Sequence, residues 1–258
     1  MKKRKNILVT NDDGITARGI HRLAEALSRV GNIYVCAPDR QRTAAGHGIT
    51  VSERIYMKEK AFHGAVKAFS CSGTPADCVK LGLRIYRSQG IEMDMVCSGI
   101  NHGANLGTDV LYSGTVSAAL EGVICGLPSV AFSSCSHEAE HLEIFETLAP
   151  EVCRVALEKL DCKTVLNVNA PDLPPEQIKG LKITRLGARE YEDYFDPIVD
   201  PDEGIHYAYA STPVIYHGLP EDIDVMAYQE NYATITPLQY DMTNHDLVHK
   251  VEGWGIRF

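Results

Sequence analysis

The chain has 258 residues, with 34 acidic against 25 basic side chains and a formal net charge of −9. Hydrophobic residues make up 45% and charged residues 23%, and the length suffices for one large α/β domain with a substantial core. The acidic balance excludes an electrostatic duplex-binding protein, which needs a lysine and arginine excess on one face to displace counterions.

The first 170 residues alternate short β-rich runs with helical patterns. Ile7 to Thr10 reads as a strand that ends in the polar string Asn11-Asp12-Asp13-Gly14. Ile20, Leu23, Ala24, Leu27 and Val30 then recur at helical spacing, with Arg22, Glu25 and Arg29 on the other side. Ile33 to Ala37 is a second strand, Met93 to Cys97 a third, Ser129 to Phe132 a fourth and Val165 to Val168 a fifth. Helices are predicted from Thr115 to Cys125 and from Leu142 to Leu157. This alternation predicts a parallel sheet covered by helices on both faces. Beyond about residue 180 the texture changes, and eight of the twelve tyrosines follow position 190. Period-2 stretches such as His206 to Tyr209 suggest hairpins, and Asp193, Asp196, Asp200, Asp202 and Glu203 read as an acidic loop. The aromatic surface is expected to pack on the core or on another subunit.

No stretch of about 18 apolar residues is available to span a membrane, and Ile7-Leu8-Val9, after the basic start, is too short for a secretory segment. The eight cysteines include no C-x-x-C pair, and Cys36 and Cys125 sit inside apolar runs, where a free thiol acts as a small buried hydrophobe. A reduced, cytoplasmic protein with structural thiols is the expectation.

Ligands of open parallel sheets bind beyond the carboxyl ends of the strands. Asp12 and Asp13, adjacent at such an end, repel one another unless a cation lies between them, which points to a hard metal ion. The competing reading makes one of them a cap for the following helix, with Gly14 forming the turn. After the second strand comes a polar loop, Pro38 to His47, with a hydroxyl and two guanidinium groups. After the third lies Ser98 to Gly107, with three glycines and two asparagines. Dinucleotide and P-loop fingerprints are absent. Carboxylate, hydroxyl and amide oxygens suit Mg²⁺ or Mn²⁺ better than zinc. His137-Glu138-Ala139-Glu140-His141 matches the zinc-protease pattern formally, but it follows a strand and a turn instead of starting inside an apolar helix. Two Ser-Gly-Thr strings, Ser113-Gly114-Thr115 and Ser72-Gly73-Thr74, begin helical patterns whose first N–H groups can face an anion. Both together fit one pocket for a phosphorylated ligand. Asp241 and His245, four apart, would share a helix face, as part of a site or as a surface ion pair.

The strings Leu8 to Ile15, Ala37 to Arg40, Ser72 to Val79, Ser98 to Asn101 and Tyr112 to Gly122 resemble, in order, the SurE (survival protein E) family of nucleotidases. The likeness extends to Leu166-Asn167-Val168-Asn169-Ala170-Pro171 and, more loosely, to Ile235-Thr236-Pro237-Leu238. It implies a Rossmann-like three-layer α/β core with a mostly parallel sheet over residues 1–180. Residues 181–258 would be a C-terminal β-hairpin and helix extension, used to form a homodimer or homotetramer. The implied activity is metal-dependent hydrolysis of nucleoside monophosphates, at 5′ and also 3′ phosphates. One divalent cation per subunit, Mg²⁺ or Mn²⁺, would be held by Asp12, Asp13 and Asn101. Thr43 stands where the family has a serine ligand, keeping the hydroxyl but stiffening χ1. Asp12 and Asp13 are the implied catalytic pair, and Gly14, Asn105, Ser113, Gly114 and Thr115 the implied phosphate and substrate contacts. Rival readings are an aspartyl-phosphate phosphatase with Asp12 as nucleophile, a nucleoside N-glycosidase, and a non-enzymatic metal- and nucleotide-binding module.

Overall fold

Alternate residues of the first strand face opposite sides of one sheet, and each side is covered by its own pair of helices. A computed structural model describes residues 4–200, 204–214 and 217–256. The first half runs β1 (Lys5–Thr10), α1 (Arg18–Leu27), β2 (Gly31–Pro38), β3 (Met57–Glu59), β4 (Lys67–Cys71), α2 (Pro75–Ser88) and β5 (Met95–His102). Then follow α3 (Gly114–Ile124), β6 (Ser129–Ser134), α4 (Phe145–Lys159) and β7 (Val165–Ala170). The remainder comprises β8 (Leu181–Ile183), β9 (Tyr191–Asp200), β10 (Gly204–Pro213), α5 (Asp224–Gln229), β11 (Ala233–Leu238) and α6 (His245–Glu252).

Ile7 and Val9 pack with Ile20, Leu23 and Leu27 of α1 and Phe145, Ala149 and Cys153 of α4. Leu8, one residue out of phase, packs with Cys78, Val79 and Tyr86 of α2 and Ala118 of α3. Period 2 in the strand and 3.6 in the helices thus build the two apolar layers that flank the sheet. Burial of such side chains, about 1.5–3 kcal/mol each, holds the layers together.

Nine strands form the main sheet in the order β3-β4-β2-β1-β5-β6-β7-β11-β8. From β4 through β7 every neighbouring pair is parallel. The chain steps outward from β1 to β2 and β4 and then crosses to β5 on the other side of β1. The strand order therefore reverses between β1 and β5.

The five predicted strands and three predicted helices are present, with ends shifted by a few residues. Ser98 to His102, read as loop, is the end of β5, displaced by a bulge against β6 between Ser98 and Asn101. β11 pairs antiparallel with β7 and parallel with β8, so part of the segment after residue 180 lies in the main sheet. The predicted hairpin exists as the two-stranded ribbon of β9 and β10. Asp193, Asp196 and Asp200 belong to its strand β9, not to a loop. Pro197 is tolerated there because both ribbon strands are edges. Asp202, Glu203 and Tyr216 lie outside the described residues, as do the side chains of Asp193, Tyr194 and Tyr209.

All eight cysteines are free thiols, and Cys36 is buried as expected. Cys125 is exposed instead, because it is the C-terminal cap of α3, where the helix leaves the core. His245 Nε2 lies 3.0 Å from Asp241 Oδ2 in an exposed contact, with Asp241 ahead of α6 and not on it. Among the described residues no helix is long and apolar enough to cross a membrane.

Candidate active site at the reversal of the sheet

In doubly wound sheets the crevice beyond the strand ends opens where the strand order reverses. Here that crevice lies between the ends of β1 and β5. The chain leaves β1 through a turn closed by Asn11, whose Nδ2 donates to Gly14 O at 2.9 Å and whose Oδ1 accepts from Gly14 N at 3.2 Å. Gly14 has φ +99°, and a Cβ there would lie 3.1 Å from the Arg40 carbonyl carbon, so only glycine fits without strain. The turn holds Asp12 and Asp13 side by side. Neither caps α1, whose N-cap is Ala17 with no side-chain bond, so the carboxylates are left for another purpose.

Asp12 is only 6% exposed. Its backbone carbonyl accepts from Arg42 N at 2.7 Å, and the Thr115 hydroxyl donates to its Oδ1. Burial pushes its carboxyl up to about 6; the Thr115 hydrogen bond opposes that rise and the Asp13 charge adds to it. Asp13 is raised too, chiefly by burial. It accepts from His102 N and from Gln41 Nε2, both at 3.4 Å. Two neighbouring carboxyls are thus lifted above their ordinary range by lost hydration.

The N-terminus of α3 stands against Asp12. Ser113 caps it, its Oγ accepting from Val116 N at 3.1 Å. Gly114 follows, and a Cβ there would lie 2.8 Å from the Asp12 Cβ and 2.9 Å from its Oδ2. The absence of that atom lets the carboxylate approach the first turn, where free N–H groups and the helix dipole favour negative charge.

Asp12, Asp13, Thr43, Asn101, Asn105 and Ser113 all line one cavity of about 190 Å³. The Asn101 Nδ2 donates to Gly103 O at 2.8 Å, leaving its oxygen as the available end of the amide. Thr43 is exposed on the loop after β2. Asn105 is more committed to structure than the sequence suggested. Its Nδ2 donates to Ser133 Oγ at 2.7 Å, its N donates to Asn169 Oδ1, and its carbonyl accepts from Asn167 and Asn169.

Other lining residues were not singled out from sequence: Gln41, His102, Asp109, Tyr112 and, as part of this site, His137. His137 came to notice as part of a zinc-protease pattern, but His137 and Glu138 form a turn and His141 also precedes α4. The i, i+4 helix face that pattern needs does not exist. Asp109 joins the crevice to the tail, for Arg189 Nη1 lies 2.7 Å from its Oδ2 and Tyr191 Oη donates to the same oxygen. The second Ser-Gly-Thr string does not share this pocket. Thr74 caps α2 in a capping box with Asp77, and Ser72 to Thr74 line a different cavity.

The residues at the crevice fit a hard divalent cation. Their donor set is all oxygen, with two carboxylates, one amide and one hydroxyl. The two carboxyls, moreover, lie in a buried setting that no lysine or arginine neutralises among the groups shifting them.

The class defined by fold and crevice is a doubly wound α/β protein with an oxygen-rich acidic site at its strand reversal. The model of the family "Survival protein SurE" matches residues 7–193. The chain is 44% identical to the 5′-nucleotidase SurE of Trichormus variabilis, over 96% of this chain and 98% of that protein. It is 45% identical to the 5′-nucleotidase SurE of Syntrophomonas wolfei, over 95% and 92%. The crystal structure of the SurE protein from Aquifex aeolicus superposes with a TM-score of 0.82 at 38% identity, covering 96% of this chain and 98% of that one. This chain belongs to the SurE family.

Proposed function

We propose that the chain is a metal-dependent 5′-nucleotidase that hydrolyses nucleoside monophosphates, 3′ as well as 5′, to nucleoside and phosphate. The observation that carries this reading is the placement of Asp12 against the N-terminus of α3, in the cavity that Asp13 also lines. An anion-repelling pair and an anion-attracting helix end share one cavity, which suits a cation and a phosphate held together. Asp12, Asp13 and Asn101, with the hydroxyl of Thr43, would hold the cation, Mg²⁺ or Mn²⁺, one per subunit. When bound, such an ion neutralises phosphate charge and lowers the pKa of a water molecule.

The chain's own groups supply the remainder. The start of α3 at Ser113–Thr115, through the Gly114 N–H and the helix dipole, holds the phosphate oxygens and stabilises charge that grows in the transition state. One of the two carboxylates accepts the proton of the attacking water. Thr115 fixes Asp12 through its hydroxyl, and the Gly14 turn sets the spacing of the pair. A net charge of −9 is then no obstacle, since the local sign is set by cation and helix dipole.

The exposed apolar side chains of the ribbon, including Val199, Ile205 and Tyr207, support a subunit contact through the C-terminal segment. A homodimer or homotetramer in a cytoplasmic setting is the proposed state, checked by light scattering after gel filtration. For the activity, phosphate release from AMP is measured after EDTA treatment and again after adding Mn²⁺ or Mg²⁺. Release restored only by metal supports the reading. Free base in place of phosphate, a trapped phosphoryl group on Asp12, or binding without turnover would each replace it with one of the rivals.

A further inference from the structure

The loop after β2 has two sides. Gln41 and Thr43 line the cavity of Asp12 and Asp13. Arg40 and Arg42 line another, of about 270 Å³, together with Arg54, Tyr56 and Ser72 to Thr74. Odd and even residues of one short segment thus divide between two cavities, and the loop is the wall between them.

The second cavity concentrates positive charge in an acidic protein. Arg40 and Arg54 have no ion pair among the described residues, and Arg42 lies 3.8 Å from one carboxylate, Asp39. Glu53 is the acidic side chain in the lining and Asp39 stands beside Arg42, so three guanidinium groups meet two carboxylates there. Arg42 donates through Nη2 to Ser72 O, while its Nε is buried with no acceptor among the described residues. Arg42 is thereby fixed in the wall of the cavity, and Arg40 and Arg54 beside it are exposed. The cap of α2 is not the source of attraction. Thr74 N and Asp77 N are already taken within the capping box, and the Asp77 carboxylate also binds Thr50. The arginines carry the site.

The geometry points to a second anion site behind the catalytic loop, one that takes a phosphate group on Arg40, Arg42 and Arg54 and, through that loop, fixes Thr43. Guanidinium forks match tetrahedral oxyanions and hold them by paired, charge-assisted hydrogen bonds. Such an anion would tie Arg40 and Arg42, on the loop, to Arg54 across the cavity, and so hold the backbone that presents Gln41 and Thr43 on the other side. The phosphate is either orthophosphate or the phosphoryl group of an ester.

The test is independent of the nucleotidase reading, because it uses metal-free Asp12→Asn protein. Orthophosphate and a non-hydrolysable adenosine 5′-methylenephosphonate are titrated separately by calorimetry. Saturable binding of either is expected, weakened about tenfold by Arg54→Gln and by Arg40→Gln, and partly restored by Arg54→Lys. Which of the two binds more tightly identifies the source of the phosphate. In threonine-methyl NMR spectra the Thr43 signal should shift on titration, and this shift should be lost in Arg54→Gln. Both arginines are exposed, so unchanged thermal unfolding of these variants confirms an intact fold. Absence of binding, or affinity unchanged by both arginine substitutions, overturns the site. A Thr43 signal indifferent to bound phosphate overturns the coupling.

Discussion

Asp12 and Gly114 meet across the reversal of the sheet so closely that a single methyl group on Gly114 would lie 2.8 Å from the Asp12 Cβ. The contact joins the end of β1 to the start of α3, residues 102 positions apart in the chain. Gly114→Ala must therefore push either the carboxylate or the first turn of α3 away. Alanine is a good helix residue, so the helix itself should persist. A displacement approaching 1 Å at a reacting group costs on the order of 10²-fold in rate. The expected outcome is a kcat/KM for AMP lowered about 10²-fold, with stability in urea lowered by about 1–3 kcal/mol, the usual cost of overpacking. Wild-type turnover would show that the close approach serves packing alone.

Thr115 offers a milder perturbation of the same carboxylate. Its hydroxyl, fully buried, donates to Asp12 Oδ1. Thr115→Val keeps the shape and removes the donor. Groups that orient a metal-binding carboxylate in this way typically contribute 10–100-fold to metal affinity. The Mn²⁺ concentration for half-maximal phosphatase activity should rise by roughly that factor. Turnover at saturating Mn²⁺ should fall much less, which distinguishes an orienting residue from a misfolded variant.

The raised pKa of Asp12 makes a signed prediction about the metal-free protein. Its carboxyl moves from the ordinary 3.8 to about 6 on folding, so the folded chain holds this proton more tightly than the unfolded one. The associated stability is complete below about pH 3.8 and is lost as the pH rises through about 6. At 1.36 kcal/mol per unit the loss is on the order of 3 kcal/mol. Asp12→Asn has no such proton to lose. In EDTA the stability of Asp12→Asn relative to wild type should therefore grow between pH 4 and pH 6 and level off above it. Urea unfolding at four pH values measures this difference. The same substitution should abolish metal-dependent phosphatase activity while the fold remains, and near-wild-type turnover would remove Asp12 from the site.

How much of this could be read from the sequence depended on whether the signal was local. Ile7 to Thr10 and the Ile20–Leu27 spacing announce a buried strand and an amphipathic helix without help from the rest of the chain. Asp12, Asp13 and the Ser113 cap were visible as strand-end and helix-start strings. β4 was missed because Lys67-Ala68-Phe69-Ser70-Cys71 has little alternation or apolar continuity, and its burial comes from pairing with β2. The insertion of β11 between β7 and β8 is likewise a long-range pairing with no short-range mark. His137 carried a motif, but the motif belonged to a helix that did not form. Its actual neighbours, Gly103 and the lining of the Asp13 cavity, come from a different strand end.

Asp224 shows how a long-range contact of this kind supports the crevice. It is completely buried, with Oδ2 accepting from Gly107 N at 2.8 Å and Oδ1 from Gly187 N at 3.0 Å and Val225 N at 2.8 Å. One carboxylate thereby ties α5 and the root of the ribbon to the loop that carries Asn105, Asp109 and Ser113. Burial raises its pKa despite these three donors. Asp224→Ala would leave three N–H groups without their acceptor in the interior, at about 1–3 kcal/mol for each that water cannot reach. A loss of at least about 3 kcal/mol in urea unfolding is expected. Asp224→Asn has the same shape and keeps one acceptor oxygen, so it should lose less. Because the loop from Gly107 leads to Ser113, either variant should also raise the KM for AMP while folded. An Asp224→Ala protein as stable as wild type would show that the tail is not anchored through this carboxylate.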